Sequence, residues 1–324
     1  MVAIRYQGRQ FPLCDGQSVL EALLAHGVPV PSACRSGVCQ TCLMRAVGGV
    51  PPEASQRGLK ASLRLQSYFL ACVCHPTEDL EVSLPGADQA ALPTTVKALE
   101  PLSEDIVQLT LECHAPLDYR PGQFIHLFPE RTVGRSYSIA SVPQLDKHIH
   151  LHVRHHPGGR VSGWIHHRLR PGDRVEIRGP AGDCFYVPGR PQQPMLLIGT
   201  GSGLAPLFGI VRDALAQGHT GPIRLYHGSR HRRGLYLVDE LRQLAQQYPN
   251  FAYVPCLSGP EVPPGFAAGR AHAVALRDHP DLQGWRVFLC GHPEMVKVAK
   301  KAAFLARAAM ADIHADPFHL GSAA

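Results

Sequence analysis

The stretch ACRSGVCQTC, residues 33–42, carries Cys34, Cys39 and Cys42 at gaps of four and two residues. Five of the chain's ten cysteines fall between residues 34 and 74, so the demand for thiols is local. The N-terminal MVAIRYQGRQF lacks the basic-then-apolar order of a secretory leader. The most apolar early run, LLAHGVPVP, is broken by His26, Gly27 and Pro29 and is too short to cross a bilayer. The expected location is therefore the reducing cytoplasm, where clustered thiols serve metal or redox chemistry rather than disulfides. Thiolates at C-x4-C-x2-C suit a [2Fe–2S] cluster completed by a fourth cysteine further along. Small residues such as Ser36 and Gly37 let backbone N–H groups approach the sulfides. Two candidates for the fourth ligand, Cys72 and Cys74, lie in LACVCHP, residues 70–76. A structural zinc site is the alternative, because Cys39-x2-Cys42 could open one. Its second pair would be Cys72-x-Cys74, tighter than zinc knuckles use.

Working outward, 324 residues suggest two or three domains, and 45% hydrophobic with 18% charged residues allow real cores. The formal net charge is +6, yet residues 1–88 carry seven Lys/Arg against seven Asp/Glu. No basic run is interleaved with aromatics, so no nucleic-acid partner is expected. MVAIRYQG and RQFPLC read as two strands around a turn at Gly8. SVLEALLAHG reads as a helix: Ser18 and Glu21 form a capping box, Val19, Leu20, Leu23 and Leu24 share one face, and Gly27 closes the end. DLEVSLPG is a last strand, and ADQAALP, residues 87–93, has the composition of a linker.

From Thr94 the texture changes. TTVKALEPL, IVQLTLEC, QFIHLFP, RSYSIAS, HIHLHVR and DRVEIRGP are short alternating strands between Pro/Gly turns, the spacing of an antiparallel barrel. After Pro191, strands PMLLIGT, IRLYHGS, FAYVPCLS and RVFLCG alternate with helices YLVDELRQLAQQY and PEMVKVAKKAAFLARAAM (293–310), the pattern of a parallel sheet. The expected domains are 1–88, 94–190 and 191–324.

The cysteine segment resembles the plant-type [2Fe–2S] ferredoxin family, whose loop PSACRSGVCQTC matches closely. That family places its fourth cysteine 29 residues after the third, within Cys-x-x-x-Pro. Here residues 43–71 separate Cys42 from Cys72, and Cys72-Val73-Cys74-His75-Pro76 fits the element. The resemblance implies Cys34, Cys39, Cys42 and Cys72 as cluster ligands in a β-grasp (α+β) domain. Cys74 departs from the family pattern.

In RSYS, residues 135–138, an arginine can pair with phosphate, a tyrosine can stack on a flat ring and a serine hydroxyl can reach a ring nitrogen. Alone it reads rather as an ordinary strand with Tyr137 in the core. GGRVS (158–162) follows at a strand-to-helix junction, where free N–H groups receive a pyrophosphate. Gly199-Thr200-Gly201-Ser202-Gly203 links a strand to a helix, as a dinucleotide phosphate requires. It is G-x-G-x-G, not the G-x-G-x-x-G of the ordinary dinucleotide fold. The order RxYS, GGxVS, IGTGSGLAPL, CGHPEM resembles the ferredoxin–NADP⁺ reductase superfamily. By that resemblance Arg135 holds FAD phosphate, Tyr137 stacks on the isoalloxazine and Ser138 reaches its N5. Gly159, Val161 and Ser162 hold the pyrophosphate or ribityl chain, and Pro121 and Gly122 belong to the strand before the flavin. Cys290, followed by Gly291, Pro293 and Met295, stands beside the nicotinamide, so Cys290 and Ser138 are the catalytic candidates. Ser229 and Arg230, after the second sheet strand, suit a 2′-phosphate and NADPH. NADH-using relatives also carry an arginine there, and NADH is the expected donor. ADPF, residues 315–318, resembles the C-termini of oxygenase reductases, and that resemblance implies a place for Phe318 by the flavin. His148, His150 and His152 fall on one strand face and read as a solvated barrel surface, with a metal site as the alternative.

The whole chain resembles electron-transfer reductases of multicomponent oxygenases, such as the benzoate dioxygenase and methane monooxygenase reductases. That implies an NAD(P)H:acceptor oxidoreductase passing electrons from nicotinamide to FAD to [2Fe–2S] to a terminal oxygenase, and a monomer. A reductase for an iron–sulfur dehydratase of deoxysugar synthesis is the alternative partner reading. A redox-sensing protein without turnover would carry a damaged nicotinamide loop, yet Gly201, Gly203 and Cys290 are all present.

Overall fold

The computed structural model describes residues 2–87, 91–130 and 133–319. The chain divides into two compact units, Met1–Ala90 and Ala91–Ala324.

In the first unit β1 (Ala3–Tyr6) and β2 (Arg9–Pro12) form an antiparallel hairpin. Gln7 and Gly8 both have positive φ, +51° and +74°, as a two-residue primed turn requires. Helix α1 (Val19–Ala25) starts on the capping box: the Glu21 N–H donates to Ser18 Oγ and the Ser18 N–H to Glu21 Oε2. Beyond its end Gly27 turns left-handed (φ +74°) and the Val28 N–H returns to the Leu23 carbonyl. Next come β3 (Leu43–Gly48), α2 (Ala61–Leu65), β4 (Tyr68–Leu70) and β5 (Leu80–Ser83). The sheet order is β2-β1-β5-β3-β4, with β1 and β5 parallel. Val19, Leu20 and Leu23 of α1 pack with Ile4, Met44, Phe69 and Leu80 of the sheet, all within 1% of full burial. Each such side chain contributes about 1.5–3 kcal/mol. A helix held in a mixed sheet is the β-grasp arrangement.

The second unit opens with six antiparallel strands, β6 (Leu92–Pro101), β7 (Ile106–Cys113), β8 (Phe124–Glu130), β9 (Val133–Ser138), β10 (Ile149–Arg154) and, after helix α3 (Arg160–His167), β11 (Arg174–Ala181). Their order is β10-β7-β6-β11-β8-β9, and a bridge between Ile139 and Leu151 joins the two ends into a barrel. Leu92 already pairs with Ile177, so the last residues of the expected linker belong to a strand. Residues 88–90 of that linker lie outside those described.

The expectation of a solvated histidine face on β10 is corrected. His152 is buried, its ring against Phe208 and Tyr236 and its Nδ1 3.1 Å from the Tyr236 Oη. His150 is half-buried, and His148 precedes the strand. Another layer of the same unit covers this face, which strand alternation alone does not reveal. Burial lowers the His152 pKa to about 3, so its imidazole is neutral. Among the described residues no three His, Cys, Asp or Glu side chains are grouped to hold a single metal ion.

The rest of the unit is a parallel sheet of β12 (Met195–Thr200), β13 (Ile223–Ser229), β14 (Phe251–Leu257), β15 (Ala267–Ala268), β16 (Arg286–Gly291) and β17 (Ile313–Pro317). Helices α4 (Leu204–Ala216) and α5 (Val238–Gln247) cover one face, and α6 (Ala271–Asp278) and α7 (Pro293–Leu305) the other. The order β15-β14-β13-β12-β16-β17 reverses direction at β12. Such a reversal opens a crevice beyond the strands' C-terminal ends, where ligands bind in sheets of this kind. Helix α7 ends at Leu305, short of the expected Met310, because Arg307 turns left-handed (φ +72°) to lead into β17.

Candidate redox centres

The cysteine loop bends repeatedly: Arg35, Gly37 and Gln40 all have positive φ (+53°, +77°, +60°). Holding a non-glycine residue there costs on the order of 1–2 kcal/mol. Part of that cost is offset where Gln40 Nε2 donates to the Gly58 carbonyl at 3.2 Å. These bends turn amides toward sulfur. Cys34 Sγ accepts from the N–H groups of Ser36 (3.5 Å) and Cys39 (3.4 Å), and Cys72 accepts from the Gly37 N–H. A side chain on Gly37 would press on Val73 at 3.3 Å.

Four thiols fall into two pairs, Cys34 with Cys39 and Cys42 with Cys72, and Cys72 also feels the charge of Cys34. A two-iron cluster takes two thiolates per iron, so paired thiols fit it better than a single zinc ion. Hydrogen bonds from Ser36, then from Cys39, lower the Cys34 pKa to about 5. Burial, then the neighbouring Cys42 thiol, pushes Cys72 up to about 11. Cys74 is different: it is fully buried in the α1 core, its thiol shares a hydrogen bond with Ser55, and burial pushes it up to about 12.

In the barrel, Arg135 is exposed on β9, with Nη1 donating to the Gly134 carbonyl. Tyr137 is half-buried at the edge of the barrel core, and burial raises its phenol. The first turn of α3 has no side-chain cap, and the positive end of the helix favours an anion there. A side chain on Gly159 would collide with Ser162 Oγ. Val161 is 2% exposed and Ser162 Oγ accepts from the His156 N–H, so both side chains turn inward and this turn offers its backbone. Gly122 (φ +96°) is explained by packing: a Cβ there would lie 2.8 Å from Ile210 of α4.

At the sheet's C-terminal end lies a cleft of about 1380 Å³. Thr200, Gly201, Ser202, Ser229, Arg230, Gly291 and Phe318 line it, as do Arg270 and His272. Gly199 and Gly203 serve packing: a Cβ on Gly199 would lie 2.7 Å from Leu207, and one on Gly203 would collide with the Cys290 carbonyl. Gly291 (φ +118°) lies so close to Thr200 that a Cβ would be 2.6 Å from its carbonyl oxygen.

Ser138 and Cys290, far apart in sequence, come together through a residue that sequence reasoning missed. Ser138 Oγ donates to Asp316 Oδ2 at 3.1 Å, and Asp316 is paired with Cys290 between β17 and β16. Burial raises the Asp316 pKa to about 6, opposed by the Ser138 hydrogen bond; Asp183 raises it and His319 lowers it. Cys290 is fully buried, with its Sγ 3.7 Å from Cys184 Sγ, and burial raises its pKa strongly. The Phe318 N–H bonds the Gly291 carbonyl at 2.8 Å. Asp316 stands two residues before Phe318, and the missing signal was that this tail forms a strand beside RVFLCG.

These centres coincide with three family matches: a 2Fe-2S iron-sulfur cluster binding domain over residues 2–77, an oxidoreductase FAD-binding domain over 93–186 and an oxidoreductase NAD-binding domain over 197–301. The chain belongs to the three-domain electron-transfer proteins of the ferredoxin–NADP⁺ reductase type. It is 36% identical to the reductase subunit of an aromatic O-demethylase from Amycolatopsis sp. (strain ATCC 39116 / 75iv2), across 98% of each chain. It is 32% identical to the ferredoxin–NAD(P)(+) reductase component of the naphthalene 1,2-dioxygenase system of Pseudomonas putida, again across 98% of each. The crystal structure of Amycolatopsis cytochrome P450 reductase GcoB superposes with a TM-score of 0.70 at 35% identity, covering 99% of this chain and 100% of that one. Among the described residues no helix is long and apolar enough to cross a membrane.

Proposed function

We propose that this chain is the cytoplasmic, monomeric reductase of an oxygenase system, with NADH as donor and a terminal oxygenase as acceptor. When bound, FAD exchanges a two-electron hydride for single electrons, and the [2Fe–2S] cluster carries those to the partner. The observation that carries the reading is the convergence of Ser138, Asp316 and Cys290 where the barrel meets the sheet. Arg135 and the N-terminal turn of α3 hold the flavin's phosphates. Tyr137 supports its ring, and Ser138 directs its hydroxyl to the ring edge. Thr200, Gly201 and Ser202 receive the dinucleotide's pyrophosphate, while Ser229 and Arg230 hold the adenosine ribose. Gly203 and Gly291 let the backbones cross closely, and Phe318 shields the flavin. Cys34 and Cys39 ligate one iron, and Cys42 and Cys72 the other.

The test is anaerobic addition of NADH to reconstituted protein, which should bleach flavin absorption first and cluster absorption after it. If neither band bleaches, the reading fails. Arg135→Ala should lose FAD on gel filtration, because a charge-assisted phosphate contact is worth about twice a neutral one. Ser138→Ala should keep FAD and slow its reduction. Full FAD retention by the Arg135 variant would move the phosphate site elsewhere.

Asp316 supplies a pH signature. With its pKa near 6, the carboxyl is neutral below that pH and ionised above it. Ionised, it accepts the Ser138 hydrogen bond and fixes the hydroxyl, so flavin reduction should slow as pH falls through 6. Asp316→Asn should remove that inflection from the pH–rate profile. The stability effect has the opposite sense. The folded pKa is raised above the ordinary value of 3.8, so stability is fully present below pH 3.8 and falls as pH rises through 6. Asp316→Asn should therefore raise Tm at pH 8 and leave it unchanged at pH 3.5. An unaltered inflection in the variant would assign the titration to another group.

A further inference from the structure

Beneath the glycine loop, towards the end of β13, lies the imidazole of His227. His227 is fully buried, 0% exposed, and is paired with Gly199 of β12. Its Nε2 is 3.3 Å from the Gly201 carbonyl oxygen and its Nδ1 is 3.4 Å from the Tyr253 Oη. A carbonyl oxygen only accepts, so Nε2 carries a proton. Burial lowers the His227 pKa to about 4, so the ring is neutral and has one N–H. Nδ1 is then the acceptor, and the Tyr253 hydroxyl donates to it. The Tyr236 ring stands edge-on at 5.6 Å, with an interplanar angle of 90°, and holds the imidazole plane.

Gly201 has φ +55°, and its carbonyl accepts from both His227 and the Leu204 N–H. In a trans peptide the C=O of one residue and the N–H of the next point in opposite directions. With the Gly201 carbonyl drawn down onto His227, the Ser202 N–H points up into the cleft that Gly201 and Ser202 line. Were the peptide to flip, a carbonyl oxygen would replace a donor where an anion should sit.

We propose that His227 is a positioning residue for the dinucleotide, locking the Gly201–Ser202 peptide with its N–H toward the pyrophosphate. This rests on the reading of the cleft as the NAD(P)H site. Two substitutions separate positioning from mere filling of space. In His227→Gln the side-chain amide can occupy the Nε2 position and still donate to Gly201. In His227→Asn the amide reaches only the Nδ1 position, stays within range of Tyr253 and cannot reach the loop. With ferricyanide as acceptor, Asn should raise the KM for NADH by about tenfold, as expected for a lost buried hydrogen bond and a misplaced peptide. Its kcat and FAD content should hold, and Gln should restore the KM to within about threefold of the parent. Equal KM values for Gln and Asn, or a fall in kcat and FAD content together, would overturn the proposal. A parent chain that neither binds nor oxidises NADH would instead overturn the reading of the cleft itself.

Discussion

A chain beginning at Ala91 should retain FAD and reduce ferricyanide at a rate within about twofold of the whole protein, while its cytochrome c reduction falls about tenfold or more. Residues 91–324 form a compact unit with their own cores, and the flavin and nicotinamide candidates all lie within it. The cut belongs at Ala91 rather than Pro93, because Leu92 pairs with Ile177 in the barrel. Ferricyanide can take electrons directly from flavin, whereas the cluster is the expected one-electron exit to a protein acceptor. Undiminished cytochrome c reduction by the fragment would take the cluster off the main path. The first unit would then be structural or regulatory, and the oxygenase-reductase reading would fall.

Replacing Cys72 by serine should bleach the cluster absorption and abolish the reduced-state EPR signal, while Cys74→Ser should leave both nearly intact. Cys72 is paired with Cys42 and receives the Gly37 N–H, so with the proposed ligand set its loss would leave one iron short of a thiolate. Cys74 sits in the α1 core with no exposed surface. A serine there buries a hydroxyl, which costs about 1–3 kcal/mol of the unit's stability but no ligand. Retention of the cluster in the Cys72 variant and its loss in the Cys74 variant would reverse the assignment.

Much of this was legible from local pattern. The capping box at Ser18 and Glu21, the turn at Gly8 and the unbroken apolar run of β12 are short-range signals, and each formed as read. Two elements misled. The alternation along β10 was real, but its outer face is covered by Phe208 and Tyr236, so His152 is buried and neutral. The C-terminal helix ran short because a left-handed Arg307 diverts the chain into β17, and arginine carries no turn signature.

By itself, the amino-acid sequence determined the order of the three modules, the thiol spacing of the cluster loop and the glycines of the dinucleotide loop. Those depend on residue type and spacing within a few tens of positions, where chain connectivity imposes the geometry. Only tertiary structure decided that Cys72 faces Cys42 while Cys74 turns into the core. It alone brought Asp316 to Ser138 across 178 residues and set His227 under Gly201. Such contacts depend on which strands become neighbours and on what covers each face. That follows from the burial of whole sheets and helices against one another, which no local run of residues encodes.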